Sequence, residues 1–93
     1  MYRDDPLDDE AELRDVVGDG PVDALIDEGG PDALLAALDA LRILQGWVDP
    51  EACNGWLTTP QRRLGDRTPL EALADGAHDE VSDVLRAYVA AQS

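Results

Sequence analysis

The sequence has no lysine, and only one cysteine and one histidine among its 93 residues. Without the ammonium group the chain has no Walker lysine to cradle a phosphate, no Schiff base and no lysine general base. Cys53 has no partner for an intrachain disulfide. It reads instead as a small buried hydrophobe in the run Glu51 to Gly55 that leads to Trp56. His78 has no second histidine with which to chelate a metal, and it sits in the first turn of an expected helix, far in sequence from Cys53. The stretch from Asp15 to Gly20 lacks the carboxylate spacing of a calcium loop, and Gly18-Asp19-Gly20 and Gly29-Gly30 read as helix-terminating turns. Carboxylate pairs are plentiful, but on so acidic a surface their proximity says nothing about acid/base catalysis. No enzyme activity, catalytic residue, metal site or cofactor is expected. No apolar run approaches the ~20 residues that span a bilayer. The N-terminal MYRDDPLDDE has an acidic flank and no apolar core of the kind a signal peptide needs, so the expected location is the cytoplasm, with no membrane partner.

Acid dominates what is present. Seven arginines face twenty-one Asp and Glu, for a net charge of −14, while 44% of the residues are apolar, enough to fold against that repulsion. At 93 residues and this apolar content, one small domain is expected. The charge is uneven. Residues 1–53 hold fifteen acids and three arginines, a net −12, and residues 54–93 hold six acids and four arginines, a net −2. Nucleic acid and anionic lipid are both bound through clustered cations, so autonomous DNA binding is not expected. A high-GC or salt-adapted genome would give part of this charge with no functional cause.

Each of the six prolines follows a residue suited to capping a helix: Asp5-Pro6, Gly20-Pro21, Gly30-Pro31, Asp49-Pro50, Thr59-Pro60 and Thr68-Pro69. The pattern predicts short helices opening at these points. Thr68-Pro69-Leu70-Glu71 has the form of a capping box, and Gly76 closes the helix it begins. Between Pro31 and Gly46, Leu34, Leu35, Leu38, Leu41 and Leu44 recur at helical spacing beside Ala33, Ala36, Ala37 and Ala40, marking a central helix. A last helix, about 78 to 91, carries Val81, Val84, Leu85, Tyr88 and Val89 on its inner face. No segment alternates apolar and polar over strand length. The expected class is all-α, a compact bundle of about five or six short helices with no sheet. Residues 1–9 are expected to fray, 10–40 to form N-terminal helices, and 41–93 to form a functional region packed with 10–40 as one globule.

The most specific stretch runs from Gly46 to Gly76, where Trp47, Trp56 and the leucines are expected to pack the junction, and from Trp56 it has the order W-L-x-x-P-x-x-x-L-G-x-R-T-P-L-x-x-L-x-x-G. It fixes Trp56, Leu57, Pro60, Leu64, Gly65, Arg67, Thr68, Pro69, Leu70, Leu73 and Gly76, with Glu71 completing the capping box. Over about residues 41 to 90 the chain resembles the C-terminal toxin-binding domain of the Xre/MbcA/ParS antitoxins. It departs from them at Asp66, where the family often has a second glycine, so the turn after Leu64 is expected to adjust locally.

The resemblance implies an antitoxin of a type II toxin-antitoxin system. Its partner would be a RES-domain toxin that consumes NAD or transfers ADP-ribose, held inactive by occlusion of its active site, and the free antitoxin would be a homodimer. It also implies a partner-binding set of Trp56, Arg67, Arg86, Tyr88, Gln92 and Ser93, with the end of the last helix as the occluding element; Tyr88 stands open between core and contact, and Arg67 is expected to bond a helix C-terminus or an acidic neighbour inside the fold and so to act on the partner indirectly. A pocket for the NAD pyrophosphate carries positive potential, toward which an anionic protein is steered. Many members also carry an N-terminal helix-turn-helix, but residues 1–40 hold no basic recognition helix, although 21–28 and 31–45 have its outline. A DNA-binding regulator of its own operon, and an acidic decoy or adaptor for another basic protein, stand as the alternatives.

Overall fold

The computed structural model describes residues 6–92. Five α-helices follow in order: α1 (Pro6–Val17), α2 (Asp19–Gln45), α3 (Pro50–Thr58), α4 (Pro69–Ala74) and α5 (His78–Gln92), with a 3-10 turn at Arg62–Leu64 between α3 and α4. No strand or sheet occurs among the described residues; there is one isolated antiparallel bridge, Gln61 to Arg67. The class is all-α, as the periodicity predicts. Of the acidic stretch expected to fray, residues 6–9 lie in the first turn of α1, and 1–5 fall outside the described residues. The radius of gyration is 12.3 Å, that of a closely packed chain of this length.

Two of the prolines open helices behind a side-chain cap. Asp49 accepts from the Ala52 N–H through Oδ1 at 2.9 Å, with Pro50 in the first position of α3. Thr68 and Glu71 form the capping box in full: the Glu71 N–H donates to Thr68 Oγ1 at 3.1 Å, and the Thr68 N–H donates to Glu71 Oε1 at 2.8 Å. The end of α4 is a Schellman turn, in which Ala77 N–H donates to Ala72 O, Gly76 N–H to Leu73 O, and Gly76 takes φ 89°.

Two of the predicted starts are corrected. Thr59-Pro60 begins no helix, because Thr59 and Gln61 are extended and the Gln61 N–H is committed to the Arg67 carbonyl at 2.9 Å, so the helical turn waits until Arg62. Gly20 is not a cap either. Gly18 holds that position at φ 95°, and Pro21 sits inside the first turn of α2, where its missing N–H has no helical partner to lose. At Gly30 (φ 74°, ψ −169°) α2 breaks into arms 19–29 and 31–45, with Pro31 leading the second.

One apolar core runs through the molecule from Leu13 of α1 to Leu85 of α5, and no polar or charged residue is buried among those described. The second arm of α2 supplies Ala33, Ala37, Leu38, Ala40, Leu41 and Leu44, so its alanine face is spent inside the fold. Leu35, expected on that inner face, is 55% exposed. Helices α2 and α4 share the most extensive packing, and Gly29 lies against the backbone of Ala74. A Cβ placed there would lie 2.8 Å from the Ala74 Cα and would also collide with Ala33. The obstacle is backbone, which has no rotamer to change. Gly29→Ala is therefore expected to destabilise the protein by about 2 kcal/mol or more, read from urea or thermal unfolding.

Candidate functional site

The stretch from Trp56 to Gly76 folds as a chain of short elements, each ended by a specific backbone device. Leu57 and Leu64 are buried almost completely, Leu70 and Leu73 line the same core, and Pro69 is buried at the start of α4. After Leu64 the chain reverses through two consecutive left-handed residues, Gly65 at φ 71° and Asp66 at φ 62°. Hydrogen bonds from Gly65 N–H to Arg62 O and from Asp66 N–H to Gln61 O hold the reversal. A glycine at position 66 would meet this geometry without strain, whereas Asp66 adopts it at a cost.

Arg67 then ties the segment together. Its Nε donates to Leu64 O at 2.7 Å, Nη1 to Asp75 Oδ2 at 2.9 Å, and Nη2 lies 3.9 Å from Glu80 Oε2. One guanidinium thus joins the turn, the end of α4 and the start of α5, an arrangement suited to its planar fork of donors. Trp56 is 6% exposed, its ring centroid 5.8 Å from that of Tyr88 at an interplanar angle of 37°. This pair fastens α3 to α5 and contributes about 0.5–1.5 kcal/mol beyond the area it buries.

The residues proposed for partner binding therefore fall in different places. Trp56 and Tyr88 come together as a packed pair, and Arg67 is engaged by the protein's own backbone and carboxylates. Arg86 and Gln92 are exposed on α5, Arg86 at 3.9 Å from Asp83 and Gln92 donating to the Tyr88 carbonyl at 3.3 Å. Ser93 lies outside the described residues.

Among the depressions in the surface of the described residues, two border α4 or α5. A cleft of about 280 Å³ opens between the first arm of α2 and the α3–α4 side, floored by Leu25, Leu70 and Ala74 and edged by Glu28 and Glu71. None of the proposed binding residues lines it. The second is a groove between the second arm of α2 and α5. Its narrow end, about 150 Å³, is walled by Asp39, Leu73, His78 and Val81, and its wide end, about 380 Å³, by Trp47, Arg86, Val89 and Ala90. Ile43, Ser82 and Leu85 line both ends.

Residues 45–88, just under half of the chain, match the family model described as the antitoxin Xre/MbcA/ParS C-terminal toxin-binding domain. This segment belongs to that antitoxin family. The match lies within the 41–90 stretch read from the motif, and the partner class of the domain is a toxin. Comparison with curated proteins and with solved structures gave no match. No helix among the described residues is long and apolar enough to cross a membrane.

Trp47, expected to pack the junction together with Trp56, is instead 50% exposed, and Ile43, just outside residues 45–88, is 48% exposed. Ile43 lies about 200° around the helix from Leu41 and so off the buried stripe, and a large apolar residue so placed is the signal by which the sequence marks this exposed patch.

Asp66→Gly is expected to stabilise the fold by about 1 kcal/mol, measured by chemical unfolding, because glycine takes the left-handed conformation without the side-chain penalty. Cys53 is fully buried, and burial, reinforced by Asp49, pushes its thiol pKa up. The fold therefore favours the protonated thiol. Its contribution is whole below the unfolded thiol's pKa of about 8.5 and declines as pH rises beyond it. Between about pH 7 and about pH 9.5 the wild type should lose more stability than Cys53→Ala, and the native thiol should resist alkylation.

Proposed function

We propose that the chain is the antitoxin of a type II toxin-antitoxin pair in the cytoplasm, and that it silences a RES-domain toxin, one that consumes NAD or transfers ADP-ribose, by covering its active site. The match of residues 45–88 to an antitoxin toxin-binding domain carries this reading. The net charge of −14 supports it, since a pocket that holds the pyrophosphate of NAD presents positive potential and draws an anionic protein toward its mouth.

The far end of α5 is the occluding element in this reading. Gln92 is exposed at its tip and Arg86 lies exposed a turn and a half before it, while the Trp56–Tyr88 pair fixes the direction in which the helix projects. Arg67 acts at one remove, by holding the start of α5 against α4. Ser93 belongs to the same proposed contact. The free antitoxin is a homodimer in this proposal. The alanine stripe of α2 does not form its contact, because Ala33, Ala37 and Ala40 are buried within the single chain. DNA binding forms no part of the proposal, given a net −12 over residues 1–53.

Co-expression with a candidate RES-domain toxin is expected to restore growth to cells poisoned by that toxin, and the two should co-purify. Deleting Gln92 and Ser93 should weaken inhibition by about tenfold or more. Unchanged inhibition and affinity in the deletion would overturn the occlusion mechanism, and a toxin left fully active and unbound by the intact chain would overturn the proposal as a whole.

A further inference from the structure

The groove between α2 and α5 is a second feature of the toxin-binding domain, separate from the tip of α5. Three large hydrophobic side chains are exposed among the described residues, Leu35, Ile43 and Trp47, and two of them line this groove. Trp47 is the one that falls inside residues 45–88. Leaving a tryptophan half exposed beside an isoleucine keeps apolar surface in water that an ordinary solvent face would not carry, and tryptophan at the centre of such a patch is the residue type most often found to anchor an interface. Leu85 and Val89 extend the apolar floor along α5 toward Ala90, one turn from the tip.

Resting on the antitoxin reading above, we infer that this groove is the anchoring site for the toxin, and that it takes an apolar ridge of the toxin flanked by arginine or lysine. Shape and charge both point to such an occupant. The wide end of about 380 Å³ is roomy enough for large apolar side chains, and its wall is predominantly Ile43, Trp47, Leu85 and Val89. Asp39 stands on the lining of the narrow end, and the one arginine on the lining, Arg86, lies 3.9 Å from Asp83. The chain as a whole carries −14, of which −12 lies on residues 1–53, the part that includes the α2 wall of the groove. A second copy would bring another −14 to the same contact, whereas a basic partner gains from the field that a second copy would oppose. Anchoring and occlusion then fall to different parts of one helix: the groove side of α5 holds the toxin, and the tip a turn further on covers its pocket.

The test titrates the full chain against the candidate RES-domain toxin carrying an inactivated active site, with affinity read by calorimetry. Trp47→Ala and Ile43→Ser are each expected to raise Kd by about tenfold or more, and the double variant by about a hundredfold. Leu35→Ser, exposed but outside the groove, serves as the control and should stay within about twofold. Melting curves establish that each variant is folded, and the half-exposed positions make that the expected result. Wild-type affinity should also fall as salt is raised from about 0.1 M to about 0.5 M. Deletion of Gln92 and Ser93 should weaken inhibition more than affinity, the reverse of Trp47→Ala. If folded groove variants bind within about twofold of wild type, the anchoring proposal fails while the antitoxin reading stands. If the wild type itself does not bind, the antitoxin reading fails and takes the anchor with it. If sedimentation shows that Trp47→Ala dissociates a homodimer while toxin affinity is kept, the groove belongs to a second copy and the proposal is overturned.

Discussion

The close approach of α2 to α4 at Gly29 is the constraint on which the arrangement of the other helices depends. Where a side chain would stand, the backbone of Ala74 lies against the end of the first arm of α2. Gly30 then turns the chain at φ 74°, and the second arm lays Ala33, Ala37 and Ala40 into the core. With so little side-chain volume between them, these helices pack tightly through short side chains and leave the leucines to fill the layers on either side. The helix that opens at the capping box is thereby seated against the longest element of the fold, and the turns before and after it inherit that position.

Charge is handled by keeping it out of the interior and bridging it locally. No charged residue is buried among those described. At the joint between α1 and α2, half-buried Arg14 reaches Glu10 at 3.0 Å, Asp19 at 3.3 Å and Asp23 at 3.0 Å, which raises its already high pKa and draws three carboxylates around one cation. Arg67 does the same for Asp75 and Glu80 at the joint between α4 and α5. The two arginines occupy corners where the chain changes direction, each gathering acids contributed by more than one element. The remaining surface keeps the long-range negative field that the proposed function uses.

The motif that identifies the toxin-binding domain is, side chain by side chain, mostly a description of how the domain folds. Leu57, Leu64 and Leu70 are core, Thr68 and Glu71 are a cap, Gly76 is a helix stop, and Trp56 packs on Tyr88. A sequence signature of this kind locates the module and leaves its contact surface open, because residues that make a fold recur at fixed spacing whatever that fold touches. The wide end of the exposed apolar groove beside it is made by residues outside the motif, Ile43, Trp47, Leu85 and Val89 among them.

The sequence by itself determined the all-helical class, the starts at Asp49-Pro50 and Thr68-Pro69, the stop at Gly76, the buried faces of the second arm of α2 and of α5, and the family of residues 45–88. These are local matters of capping, left-handed glycine and 3.6-residue periodicity, set within a few residues of one another. Only the tertiary structure decided that Pro60 lies in an extended segment, since the deciding bond runs from Gln61 to Arg67 across a turn. It decided too that Arg67 is spent on Leu64, Asp75 and Glu80, that Trp56 is core while Trp47 is surface, and that Leu35 faces outward from a helix whose other leucines face in. Each of these depends on which helix arrives from elsewhere in the chain to cover a given side chain, and no spacing within a single helix encodes that arrival.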